Sequence, residues 1–338
     1  MKKRIAIVGA GWYGCHLALS LSQSGHTVSL FDRSESVFTG ASYFNQNRLH
    51  LGFHYPRSYI TRIQSKRGYR LFLKKYSQFV TSLDMNVYAV SSTESLLDFK
   101  TYCDIMTATG LDWEDVSSCM PLSINNISGA IACEELLIDS LKAKKFFLEH
   151  LGSVFKPSTP IDQECLTQLS RSNDMVLDCT WNTLLLSDRY VYESCIVFVY
   201  RSSLPMRFGL TFMDGPLFSL FPFNNDLYTL THVSHTPLGK FSSPGEALSF
   251  ANKLTIIEIN QIRSTIEKHV HRYLPSFHSF FTFDSYFTAL KTKQSSTRCD
   301  DRNTFIVPTA DRIFSVHSGK IDTIFDIEHQ VATIISNI

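Results

Sequence analysis

Ile5-Ala6-Ile7-Val8 is a short apolar run, and Gly9-Ala10-Gly11-Trp12-Tyr13-Gly14 follows it without a break. A continuous apolar run bounded by glycine predicts a strand buried on both faces. Leu17, Ala18 and Leu21 then recur at helical spacing, and Gly25 stands where that helix would stop. Thr27-Val28-Ser29-Leu30-Phe31 predicts a second strand, ended by Asp32. Strand, glycine turn, helix and acid-ended strand together predict a dinucleotide-binding unit, and no other feature limits the fold as much.

Each residue type in the turn has a physical reason. Gly9 permits a tight turn, Gly11 lets backbone approach a pyrophosphate, and Gly14 lets helix and strand pack closely. The helix start, at Trp12 and Tyr13, offers unpaired N–H groups and a positive dipole end to phosphates. Asp32 is placed to accept hydrogen bonds from a ribose diol, and its charge disfavours a 2′-phosphate, hence NADP. The unit alone does not separate FAD from NAD.

The chain has 338 residues, enough for one large α/β domain or two modest ones. Apolar content of 44% and charged content of 19% predict a soluble globular protein. A net charge of +1 gives no reason to expect nucleic acid. The apolar run after Met1-Lys2-Lys3-Arg4 is too short for a signal peptide, and no stretch reaches membrane-spanning length. None of the 8 cysteines forms C-x-x-C or pairs with His at zinc-ligand spacing, so no metal is expected, and a reduced, cytoplasmic setting is.

Asp32-Arg33 ending such a unit resembles the flavoprotein disulfide-reductase-like group and the D-amino-acid-oxidase-like superfamily. The segment Thr39-Gly40-Ala41-Ser42-Tyr43-Phe44-Asn45-Gln46-Asn47-Arg48-Leu49-His50-Leu51-Gly52-Phe53-His54-Tyr55-Pro56 looks like the loop that crosses the flavin in that superfamily, close to the form in 2-hydroxyglutarate-type dehydrogenases and glycine oxidases. Asp174 to Asn182 resembles the strand that usually ends in Ala-x-Gly beside the FAD pyrophosphate, with Cys179-Thr180-Trp181 in that place. Ile313 to Val316, the turn His317-Ser318-Gly319-Lys320 and a following helix are similar to the block that faces the flavin's pyrimidine end. The resemblance implies FAD, bound by Gly9, Gly11, Trp12, Tyr13, Gly14, Asp32, Arg33, Ala41, Ser42, Arg48, Leu49, Cys179, Thr180, Gly319 and Lys320.

The implied fold is α/β, with a discontinuous Rossmann-like FAD-binding domain (1–85, 130–185, 293–338) and an inserted α+β substrate domain (86–129, 186–292) containing an antiparallel sheet. Apolar spacing predicts helices over 59–79, 94–109 and around 136–151, and a strand at 86–91. Runs from Val191 to Val233, separated by Asp214-Gly215-Pro216 and Asn224-Asn225-Asp226, predict an antiparallel meander. Ser243-Pro244-Gly245-Glu246 predicts the capped start of one long helix to about His271, and Phe280 to Thr292 a strand.

Flavin oxidation asks the protein to orient the substrate and set its protonation. Alternation along Arg48–Tyr55 would put His50 and His54 on one side, and a His base suits alcohol oxidation, where a proton leaves with the hydride. Tyr55 is a further substrate contact. From Ser36 to Leu83 there is no acid but eight Arg and Lys, either a solvated basic face or a field drawing anions inward. Among Lys291, Arg298 and Arg302 only an Arg offers a bidentate fork to a carboxylate, so Arg302 is the expected clamp. The superfamily's Gly-Leu-Arg-Pro is replaced by Ala289-Leu290-Lys291-Thr292. Cys299 as a covalent flavin anchor, and His232 and His235 as metal ligands, are weaker options. The expected function is FAD-dependent oxidation of a C–N or C–O bond in a small polar, anionic molecule. A flavin-dependent mutase of the UDP-galactopyranose type and a non-catalytic nucleotide binder remain open, as does the oligomeric state.

Overall fold

A computed structural model describes residues 1–185, 189–224, 226–295 and 304–338. Its first sheet has six strands in the order Phe305–Ala310, Ile313–His317, Met175–Asp178, Arg4–Val8, Thr27–Phe31 and Phe155–Lys156. All neighbours are parallel except the first pair. Arg4–Val8 lies near the middle, with Ile5 opposite Val28 on one side and Met175 on the other. Its alternation explains the unbroken apolar run. Ile5 and Ile7 join the core under the helices Trp12–Gln23 and Ile324–Ser336, whereas Ala6 and Val8 join a second cluster with Leu166, Val176 and Ile313.

The second sheet has nine strands, ordered Pro237–Phe241, Tyr190–Ser202, Leu227–His232, Phe218–Asn224, Phe208–Met213, Met85–Ser91, Ile127–Ala132 and Glu114–Asp115, with Phe281–Gln294 paired along Tyr190–Ser202. The predicted meander is antiparallel from Phe208 to His232, and Phe208–Met213 joins Met85–Ser91 in parallel. A third, small antiparallel sheet sets Leu136–Ile138 between Arg48–Leu49 and Val80–Ser82. The architecture is mixed α/β.

Three local expectations change. The helix expected around 136–151 starts at Ser140, because Asp139 caps it through Lys142 N and residues 136–138 pair as a strand. The long helix from 243 divides into Pro244–Asn252 and Ile256–Tyr273, because Thr255 and Glu258 form a full capping box of their own. At the first of these, Ser243 accepts from Glu246 N, but the Glu246 carboxylate takes Ser242 Oγ. The C-terminal helix begins at Ile324, leaving a turn between it and Lys320.

Candidate active site

Gly9 has φ +101°, and a Cβ there would stand 2.8 Å from the Cys179 carbonyl oxygen. A Cβ on Gly14 would overlap the Gly9 carbonyl. Both positions therefore need glycine for strand, turn and helix to close on one another. Gly11 caps the first helix, and Ser42 Oγ accepts the Trp12 N–H at 2.9 Å over it. Asp32 is fixed by two amides, Ala10 N to Oδ2 at 2.7 Å and Ser34 N to Oδ1 at 2.8 Å. A carboxylate has further lone pairs to offer a diol. A glycine cradle, a helix start whose first turn carries no acid, and an anchored acid fit the pyrophosphate and ribose of a dinucleotide.

The remaining predicted residues around the turn divide by what they offer. Arg33 is exposed and Ala41 half-buried. The Trp12 ring is core, 4.8 Å from Phe38 and 5.5 Å from Phe72, so only its backbone faces the turn. The Tyr13 hydroxyl donates to the Lys320 carbonyl at 2.7 Å and meets Thr323 Oγ1 at 2.9 Å, tying the first block to the last. Thr180 is pinned by Asp178 Oδ1 through its amide and its hydroxyl. Trp181 and Asn182, which follow, both have left-handed φ, 59° and 60°. Two side chains pin this turn: Tyr192 donates to Asn182 O at 2.6 Å and Thr292 to Trp181 O at 2.9 Å.

His50 and His54 do come together, with ring centroids 5.3 Å apart, and Tyr55 lies 5.5 Å from His50. A turn does this rather than strand alternation. The strand ends at Leu49, whose side chain is buried in the core, and Gly52 with φ +129° reverses the chain. Arg48 points into the second sheet, donating to Tyr88 at 2.9 Å and Ser219 at 3.0 Å, with its guanidinium 3.8 Å over the Phe221 ring.

Beside these residues lies Glu135, which stands in none of the sequence motifs. It is 1% exposed. Its Oε1 accepts Leu51 N at 2.8 Å and its Oε2 accepts the Tyr88 hydroxyl at 2.6 Å. His50 Nδ1 is 3.5 Å from Oε2, and Arg48 Nη1 is 3.8 Å from it. Burial works against its charge, yet His50, Arg48 and the Tyr88 hydrogen bond bring the carboxyl down to about 2. The only sequence signal was a second acid, after Glu134, directly before the apolar run Leu136-Leu137-Ile138. Its meaning depends on the pairing of Leu136 with Leu49.

The Lys320 ammonium is buried and held by Ser65 Oγ at 2.5 Å, Thr61 O at 3.3 Å and Asp322 at 3.5 Å, with the Tyr55 ring 5.1 Å away. Gly319 is exposed. Much of the basic stretch is committed to the fold. Arg62 donates to Tyr55 O and Pro56 O, Lys66 to Thr109 O and Gly110 O, Arg57 pairs with Asp214 and Lys75 with Glu328. Arg302, Arg298 and Cys299 lie outside the described residues. His232 meets His269 Nδ1 at 2.8 Å, burial pushes it down to about 4, and no metal-binding group of three ligands occurs among the described residues. No described helix is long and apolar enough to cross a membrane.

The sequence model of the FAD dependent oxidoreductase family matches residues 4–135. FAD-dependent monooxygenase FPY4 of Fusarium mangiferae is 34% identical over 341 residues, covering 98% of this chain and 91% of that relative. In fold, the chain is similar to L-alpha-glycerophosphate oxidase from Mycoplasma pneumoniae, with TM-score 0.74 at 14% identity over 99% of this chain and 95% of that one. It is also similar to glycine oxidase from Geobacillus kaustophilus, with TM-score 0.72 at 11% identity over 99% and 95%. The glycine cradle and these likenesses agree: the chain belongs to the D-amino-acid-oxidase-like family of FAD-dependent oxidoreductases, and FAD is its cofactor.

Proposed function

We propose that this enzyme oxidises the C–O bond of a small polar alcohol or hydroxy acid, with His50 accepting the hydroxyl proton. The observation carrying this reading is the His50–Glu135 contact, because an alcohol must lose a proton as its hydride leaves, and an imidazole backed by a carboxylate serves that need. An unprotonated amine needs no such base, so C–N oxidation is the weaker reading of the two. FAD, when bound, supplies the two-electron acceptor. Gly9, Gly11, Gly14 and the backbone of Trp12 and Tyr13 would meet its pyrophosphate, and Asp32 its ribose, with Arg33 adjacent. Ala41, Ser42, Leu49 and the turn at Cys179-Thr180 would border it. Because the Lys320 ammonium is bound to Ser65, Thr61 and Asp322, residues 319–320 would offer backbone rather than charge.

His54 and Tyr55, beside His50, would orient the substrate. Arg48 would shape its site from the sheet side. An anionic substrate group would call on Arg302. We assign cofactor binding to the separate stretches that supply the six-stranded sheet, and substrate binding to the nine-stranded sheet between them. Cys15, Cys103, Cys119, Cys133, Cys165 and Cys179 are free thiols, which suits a reducing compartment such as the cytoplasm.

The test is anaerobic bleaching of the flavin-loaded protein by panels of 2-hydroxy acids, polyols and amines. Bleaching by a hydroxyl compound, with the ketone or aldehyde as product, supports the reading. Bleaching by amines alone overturns it. The likeness to FAD-dependent monooxygenase FPY4 favours a second reading, monooxygenation. In that case the product made under labelled oxygen gains an oxygen atom.

A further inference from the structure

The buried cluster of Glu135, Arg48, Tyr88 and His50 invites an explanation that packing does not supply. Glutamine in place of Glu135 could accept from Leu51 N through its one oxygen and donate its amide N–H to the Tyr88 oxygen, so the two positions can be filled without a charge. A buried carboxylate is expensive unless paired, and a neutral isostere would avoid the expense. Arg48 is a permanent partner at 3.8 Å, and His50 Nδ1 at 3.5 Å is a titratable one.

Resting on the reading of His50 as base, we infer that Glu135 is a positioning residue: its charge fixes the His50 tautomer and stabilises the imidazolium formed when His50 takes the substrate proton. Nδ1 stands 3.5 Å from the carboxylate, a charge contact short of a formed hydrogen bond, and the negative charge there favours the proton on Nδ1, leaving Nε2 as the acceptor. While His50 is neutral, Arg48 and Glu135 balance. When the proton arrives on Nε2, the cluster gains one positive charge beside the carboxylate. Arg48 opposes that gain, so the carboxylate is needed to offset it. Tyr88 and Leu51 N hold the carboxylate in place from opposite oxygens. The electron pair leaves with the hydride and the hydroxyl proton ends on Nε2, so the step balances with FAD as oxidant.

The experiment uses flavin-loaded Glu135→Gln and Glu135→Asp. Two readouts are taken: the pH profile of kcat/KM with the best bleaching substrate, and the NMR titration of the His50 ring. The expected result for Glu135→Gln is an acid limb and a His50 titration both moved to lower pH, by about one unit or more, with kcat down about 10-fold to 100-fold. Glu135→Asp recovers part of both. If the Gln variant does not fold with Arg48 uncompensated, the double variant Arg48→Met/Glu135→Gln removes both charges. The expected result there is reduced kcat with no recovery of the His50 tautomer. Unchanged His50 titration and unchanged acid limb, with flavin content intact, overturn the inference while leaving His50 as base. Unchanged turnover in His50→Ala overturns the base reading instead, and the His50 titration in Glu135→Gln then still decides whether the carboxylate governs that ring.

Discussion

The glycine turn and the His50 cluster sit in the same protein but are built by opposite means. The turn is made by consecutive residues and closed by backbone: Gly9 N donates to Phe31 O at 2.8 Å, strand, helix and second strand all lie between Arg4 and Phe31, and side chains add only the Asp32 and Ser42 bonds to the Ala10 and Trp12 amides. The cluster draws Arg48 and His50, Tyr88, Glu135 and Ser219 from segments far apart in sequence, and side-chain charge holds it. A backbone site tolerates change in charge and fails on added volume. A side-chain site does the reverse.

The largest effect follows from volume. Gly14→Ala puts a Cβ into the Gly9 carbonyl, where no flexible side chain can yield. A loss of about 3 kcal/mol or more is expected, read as a lowered melting point and protein without flavin. A flavin-loaded variant of ordinary stability would break the distinction. The same overlap at the cluster has no counterpart, since apart from the Leu51 amide its contacts are between side-chain ends.

Acid separates the two regions next. Glu135 falls from 4.5 to about 2 on folding, so its contribution is present above pH 4.5 and is lost as pH falls towards 2. The Leu51 amide, which donates to Glu135, should lose hydrogen-exchange protection across that window. The Gly9 amide, bonded to a backbone carbonyl, should keep its protection until global unfolding. Parallel loss at both sites would contradict a charge-held cluster.

Smaller changes probe the backbone region alone. Ser42→Ala removes the acceptor of the Trp12 amide and should cost about 1 kcal/mol, with weaker flavin retention. Arg312, exposed with φ 60° in the hairpin before Ile313–His317, should gain about 0.5 kcal/mol as glycine. Both are read by thermal denaturation of the flavin-loaded protein.

The same contrast explains what could be read before the fold was known. Gly9 to Asp32 declares itself because its turn, helix, second strand and acid are consecutive in sequence, and the helix from Tyr59 shows its apolar spacing for the same reason. Glu135 could not be found that way. Its neighbours are set by the pairing of Leu136–Ile138 with Arg48–Leu49, a register no local pattern reports. Alternation in the sequence places His50 and His54 on one side of a strand, whereas Gly52 brings them together by a turn. The break before Thr255 does not show in the pattern, because apolar spacing continues across it while a second capping box restarts the helix.

The central claim is that His50 removes a hydroxyl proton during oxidation by FAD. The direct measurement is the anaerobic rate of flavin bleaching, by rapid mixing with the best hydroxyl substrate, in the wild type and in His50→Ala with equal flavin content. The account predicts a rate about 10²-fold to 10⁴-fold lower in the variant at neutral pH. Equal rates in the two proteins would contradict it.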